Sequence, residues 1–138
     1  MRSTADLLDT WNACGYYRLV GMRVTRADPD SAQLELEIVP AHLQAYGTAH
    51  GGVIAGLLDA AMGLAVLARV TEEQGCATVE MKLNFVAPAV PGALVGLGRV
   101  VHQGRRLLVA SAEARDADGV MVACGQGTFQ AFSMEARG

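Results

Sequence analysis

Cysteine is scarce in this chain and poorly placed for cross-linking. Cys14, Cys76 and Cys124 are odd in number, far apart and in no CxxC pattern. A disulfide framework or zinc cluster is thereby excluded, and the three read as reduced, small apolar residues of an intracellular protein. No cysteine has a histidine signature that would mark a nucleophile. Positive charge is also short: 11 Lys and Arg stand against 14 Asp and Glu, with a net charge of −3. That balance argues against a nucleic-acid partner, whose footprint is a basic surface, but leaves room for a small anion held by a local basic cluster. His42, His50 and His102 have no ligand spacing, so no metal is expected. Secretion is not expected either, since "MRSTADLLDTW" places Asp6 and Asp9 where a signal peptide needs hydrophobic residues. The apolar run from Gly51 to Ala68 is at the short edge of a membrane span, and Asp59 and several glycines interrupt it. The expectation is a soluble, cytoplasmic protein with no membrane partner and no cofactor.

What is present is apolar and strongly patterned. The 138 residues, 51% hydrophobic, are enough for a single domain over 1–138 with its own core. Residues 4–12 predict a short helix with Thr4 as N-cap, and "GYYRLVG" leads out of it. "AQLELEI" (32–38) alternates without a miss, placing Ala32, Leu34, Leu36 and Ile38 on one face of a strand that Pro40 stops. In "TVEMKLNF" (78–85), Val79, Met81, Leu83 and Phe85 take one face, and Glu80, Lys82 and Asn84 the other. Further strands are predicted over 93–101, 107–114 and 120–132, joined by short turns at 90–93, 102–105 and 116–119. Such short connections imply antiparallel pairing and an α+β class. Between these strands a helix from about Gly51 to Arg69 would run roughly 28 Å and is apolar nearly all round. A curved antiparallel sheet wrapped around one long central helix satisfies both patterns. The helix face that the sheet leaves open then needs a second body to cover it.

Asp59 is the one charge in that apolar helix. An unpaired buried carboxylate costs several kcal/mol, so it must be paired, protonated or lining a polar pocket. Gly52, Gly56, Asp59 and Gly63 are spaced by four, three and four, on one stripe of the helix. Interior glycines cost about 1 kcal/mol each against alanine, so a backbone or a ligand should approach this stripe closely. A satisfied acid in a packed contact explains the stripe equally well. "HGG" (50–52) adds free N–H groups at the positive end of the helix macrodipole, a donor site for an anion or a developing oxyanion. An ordinary turn capped by His50 is the plainer alternative. Gly51 and Asp59 stand about 12 Å apart along the axis, too far to act on one carbonyl from the same helix. If both are catalytic, they must come from two chains whose helices run antiparallel across a twofold axis.

"GTAHGGVIAGLLDAAMGLA" together with "VEMKLNFVAPAVPG" resembles the hot-dog-fold acyl-CoA thioesterases, in particular the phenylacetate-pathway (PaaI-like) thioesterases, over most of the chain. The resemblance implies thioester hydrolysis at a dimer interface, with Asp59 as general base or nucleophile and coenzyme A entering only as part of the substrate. It implies that the Gly51 amide polarises the thioester carbonyl and that His50 fixes the loop. Gln44 stands where members commonly have an asparagine, and Thr78 matches a strand hydroxyl facing the acid. Gly52 and Met62 are candidate pocket residues. Arg105 and Arg106, in the densest basic cluster, are either a solvated hairpin or contacts for the CoA nucleotide. A homodimer is the minimum unit implied, with a homotetramer as the expected assembly. A non-catalytic acyl-CoA-binding hot-dog module is the competing function.

Overall fold

The computed structural model describes residues 2–135. In chain order the elements are α1 (Thr4–Asn12), α2 (Gly15–Val20), β1 (Met22–Ala27), β2 (Ala32–Ile38), a 3-10 turn (Pro40–His42), α3 (Gly51–Leu67), β3 (Gln74–Phe85), β4 (Gly92–Gln103), β5 (Leu107–Asp116) and β6 (Met121–Ser133). Six strands form one sheet in the order β1-β2-β4-β5-β6-β3, and every neighbouring pair is antiparallel. α3 lies across this sheet, which curves around it. Ala32, Leu34, Leu36 and Ile38 are buried as the alternation predicts, and α3 contributes Leu57, Leu58, Ala61 and Met62 to the same core. No helix among the described residues is long and apolar enough to cross a membrane.

Several local readings change. The N-cap of α1 is Ser3, whose hydroxyl accepts from the Asp6 N–H, while the Thr4 hydroxyl donates to the Ala27 carbonyl. "GYYRLV" is itself a helix, ended by Gly21 at φ 89°, a left-handed conformation that glycine adopts without a Cβ penalty. β1 adds a strand that the sequence did not announce. α3 stops at Leu67, and β3 begins at Gln74, four residues earlier than predicted.

Glycines on the sheet set the depth of α3. A Cβ on Gly98 of β4 would stand 2.2 Å from the Ala61 carbonyl oxygen, and one on Gly96 would stand 2.8 Å from the Leu57 side chain. The backbone of α3 therefore touches β4 directly. The stripe of Gly52, Gly56, Asp59 and Gly63 is less buried than the face that packs on β4, and the sheet reaches it only at Asp59, through Thr78, and at Gly63, beside Phe129.

The two sheet edges differ. On β1, Asn12 accepts from the Val24 N–H at 2.8 Å and donates to the Val24 carbonyl at 3.1 Å, so α1 covers that edge. Among the described residues no strand pairs with the outer side of β3, and along its twelve residues Val79 (56% exposed), Met81 (37%) and Phe85 (54%) lie open.

Candidate active site

The helix that carries Asp59 begins at His50. His50 has extended backbone angles, and its Nδ1 accepts from the Gly52 N–H at 2.8 Å. An accepting Nδ1 leaves the neutral ring's proton on Nε2. The Val53 N–H is taken by the His50 carbonyl, while the Gly51 N–H meets no protein acceptor among the described residues. One donor thus remains at the positive end of a 17-residue helix. The Phe85 ring stands over it, 3.4 Å from where a Gly51 Cβ would sit. Ala49 N–H donates to the Ala89 carbonyl at 2.7 Å, tying this loop to the segment that follows β3.

Asp59 is half-buried, and no cation partners it among the described residues. Its Oδ1 accepts from the Thr78 hydroxyl at 2.7 Å. The carboxylate borders a cavity of about 110 Å³ whose walls include Trp11, Tyr17, Gly63, Cys76 and Phe129. The core charge is therefore resolved as a polar pocket with one charge-assisted hydrogen bond. Burial, followed by the neighbouring Cys14 and Asp59, pushes the Tyr17 hydroxyl above the usual tyrosine range. Burial first and Asp59 second push the Cys76 thiol up to about 11.

A β-bulge makes the Asp59–Thr78 contact possible. The pairing of β3 with β6 slips between Thr78 and Glu80, leaving Val79 as the extra residue. Before the slip, Thr78 faces buried Phe129; after it, Met81 faces Gly127 and Leu83 faces Gly125. Thr78 and Met81, three apart, therefore share the helix side of the sheet. The strict period of two predicted for 78–85 would have put them on opposite sides.

The other candidate residues divide. Gln44 donates from Nε2 to the Thr48 hydroxyl at 2.6 Å and accepts from the Tyr46 N–H, so its amide organises its own loop. Gly52 does not offer a free donor, because His50 occupies its N–H. Met62 is not a pocket residue: it is 0% exposed, on the face of α3 that packs against the sheet. Arg105 and Arg106 lie in the β4–β5 hairpin, which the Gln103 amide ties to the carbonyl of Arg69 beyond the end of α3. They are far along the sheet from Gly51. His42 is structural, with Nδ1 accepting from Val39 N–H and Nε2 at 2.7 Å from the Val20 carbonyl.

Sequence reading missed the aromatic side of the site. The Tyr16 hydroxyl lies 2.6 Å from where a Gly56 Cβ would be, so α2 of the same chain makes one of the close approaches that the glycine stripe implies. Tyr17, Trp11 and Phe85 complete it. No spacing links residues 11–17 to residues 56–63, so only the packed chain reveals this contact.

Comparison with known proteins places this architecture. The description "Thioesterase superfamily" matches residues 46–123, which span His50, Gly51, Asp59 and Thr78. Acyl-coenzyme A thioesterase 13 of Homo sapiens is 29% identical over 121 residues, covering 84% of this chain and 84% of its own. A thioesterase family protein from Silicibacter pomeroyi superposes with a TM-score of 0.86 at 30% identity, over 92% of this chain and 96% of that one. The PaaI protein of the E. coli phenylacetic acid degradation operon shares the fold, with a TM-score of 0.84 at 17% identity, over 95% and 97% of the two chains. With the helix wrapped in its six-stranded sheet and the family match spanning the carboxylate and the free helix-start amide, the chain belongs to the thioesterase superfamily, as a hot-dog-fold thioester hydrolase.

Proposed function

We propose that this protein is an acyl-CoA thioesterase whose active site is completed by two chains. The carrying observation is that a carboxylate, Asp59, and a free helix-start amide, Gly51, the two kinds of group acyl transfer needs, lie about 12 Å apart on one helix. The uncovered β3 supports a partner. A twelve-residue edge strand with exposed apolar side chains is a template for strand addition, whereas α1 covers the opposite edge. Antiparallel pairing of β3 with its own copy extends the sheet and sets two α3 helices antiparallel. The helix start of one chain then approaches Asp59 of the other, giving two equivalent sites.

In this reading the thioester carbonyl oxygen accepts from the Gly51 N–H, and the helix macrodipole stabilises the charge that develops on it. Thr78 holds Asp59 by Oδ1. Oδ2, which has no protein partner among the described residues, takes a proton from the attacking water. The tetrahedral intermediate collapses, expelling the CoA thiolate and leaving the free acid. His50 keeps the donor loop in shape, and Gln44 supports that loop from behind. The nine residues from His50 to Asp59 support placing the protein with the phenylacetate-pathway type. Three unpaired thiols support a cytoplasmic location. Arg105 and Arg106 remain the basic groups available to the CoA phosphates, and a homotetramer is the assembly proposed above the dimer.

The test is release of CoA thiol from acyl-CoA. Wild type releases it, and Asp59→Asn slows turnover by about a thousandfold or more while the far-ultraviolet circular dichroism and oligomer size stay unchanged. Wild-type turnover in the variant would remove Asp59 from the mechanism.

A further inference from the structure

The Asp59 cavity has a larger neighbour. Its walls Trp11, Leu67 and Cys76 also line a second cavity of about 490 Å³ beneath α1, bounded further out by Leu7, Phe132 and Met134. The two spaces lie side by side along α3, toward its C-terminus, with these three side chains between them. Oily side chains and the Cys76 thiol line the inner part of the second cavity, and its charged residues are Arg2, Asp6 and Glu72. Arg2 donates to the carbonyls of Glu72 at 3.0 Å and Gln74 at 2.7 Å.

We infer that the acyl tail of the substrate leaves the reacting carbonyl beside Asp59, passes Cys76 and lies in the cavity beneath α1, which selects linear chains of medium length. The inference rests on the thioesterase reading above and adds where the tail goes and how long it is. From Asp59 to Leu67 the tail's path follows eight residues of helix, about 12 Å. An extended chain advances about 1.3 Å per methylene, so about nine carbons carry the tail as far as the shared walls of the outer cavity. An acyl chain packed on these oily walls gains free energy with each methylene that leaves water. A short acyl group leaves most of this space unfilled. The subsite belongs to one chain, whereas the chemistry proposed above needs two.

Trp11 borders both cavities and is the only tryptophan in the chain, so its emission reports occupancy without any variant. Titration of the wild-type protein with the non-hydrolysable thioether analogue of decanoyl-CoA should shift and saturate that emission, and the acetyl analogue should not. Equal responses to the two analogues, or no response to either, would overturn the subsite. A second arm reads kinetics. Thr10 is exposed on α1 and lines only the outer cavity, so Thr10→Phe should lower the ratio of kcat/KM for decanoyl-CoA over acetyl-CoA by about tenfold. An unchanged ratio counts against the proposal. The two readings fail separately. Hydrolysis with a silent Trp11 removes the tail subsite and keeps the enzyme, whereas a Trp11 response without hydrolysis of any acyl-CoA keeps the subsite and removes the activity.

Discussion

At the scale of single residues, the Asp59–Thr78 pair is the centre of the account. The hydroxyl at 2.7 Å both satisfies a half-buried carboxylate and aims its second oxygen. Thr78→Val keeps the shape of the side chain and removes the donor. Turnover should drop by about ten- to a hundredfold, with stability lowered by only about 1–2 kcal/mol, as thermal melting and steady-state kinetics would show. Cys76 supplies a pH signature. Its thiol is near 9 in the unfolded chain and is held up to about 11 in the fold, so the folded state keeps a proton that the unfolded state releases. That contribution is complete below pH 9 and lost as pH rises from 9 through 11, on the order of 2–3 kcal/mol. Denaturant unfolding at pH 8 and pH 10.5 should therefore show falling stability, and Cys76→Ala should flatten the Cys76 part of that fall. Asp59, Gly51 and His50 were legible from sequence because a charge in an apolar run and a glycine pair before it are local signals. Met62 was misread because an apolar helix residue carries no mark of which side it faces.

At the scale of elements, the register of β3 decides the site and the glycines of β4 decide the packing. Alternation in 32–38 located β2 and its buried face, since one strand face there meets only the core. The same rule failed at residues 78–80, because a bulge leaves no trace in hydropathy, and Thr78 turns toward α3 only through it. α2 and β1 went unannounced because both are six residues long and "GYYRLV" mixes aromatic and basic residues without a clear period. The helix glycines suggested close approach at α3, and Tyr16 provides it at Gly56, but the tightest contact is on the strand at Gly98. There a methyl group would collide with helix backbone, which cannot swing aside as a side-chain tip does. Gly98→Ala should accordingly cost about 3 kcal/mol, seen as a fall in Tm of several degrees, whereas Gly63→Ala, whose Cβ would meet the Phe129 ring at an ordinary 3.6 Å, should melt near wild type.

At the scale of the whole molecule, the asymmetry of the sheet carries the argument. One edge is sealed by Asn12 and α1, and the other presents β3 with apolar side chains in the open. Sequence reading reached the need for a partner through the 12 Å between Gly51 and Asp59, without knowing which edge would supply it. Removing each group from a different chain tests that need. Gly51→Pro deletes the amide hydrogen at the first helical position, where proline is well tolerated and where the extended His50 backbone already suits a following proline. Asp59→Asn deletes the base. Each variant alone should be nearly inactive. Co-expressed, half of the dimers are mixed, and each mixed dimer holds one site with both groups intact, so the account predicts recovery of about a quarter of wild-type activity. Co-expressed variants that stay as inactive as either one alone would show that Gly51 and Asp59 do not act together across two chains.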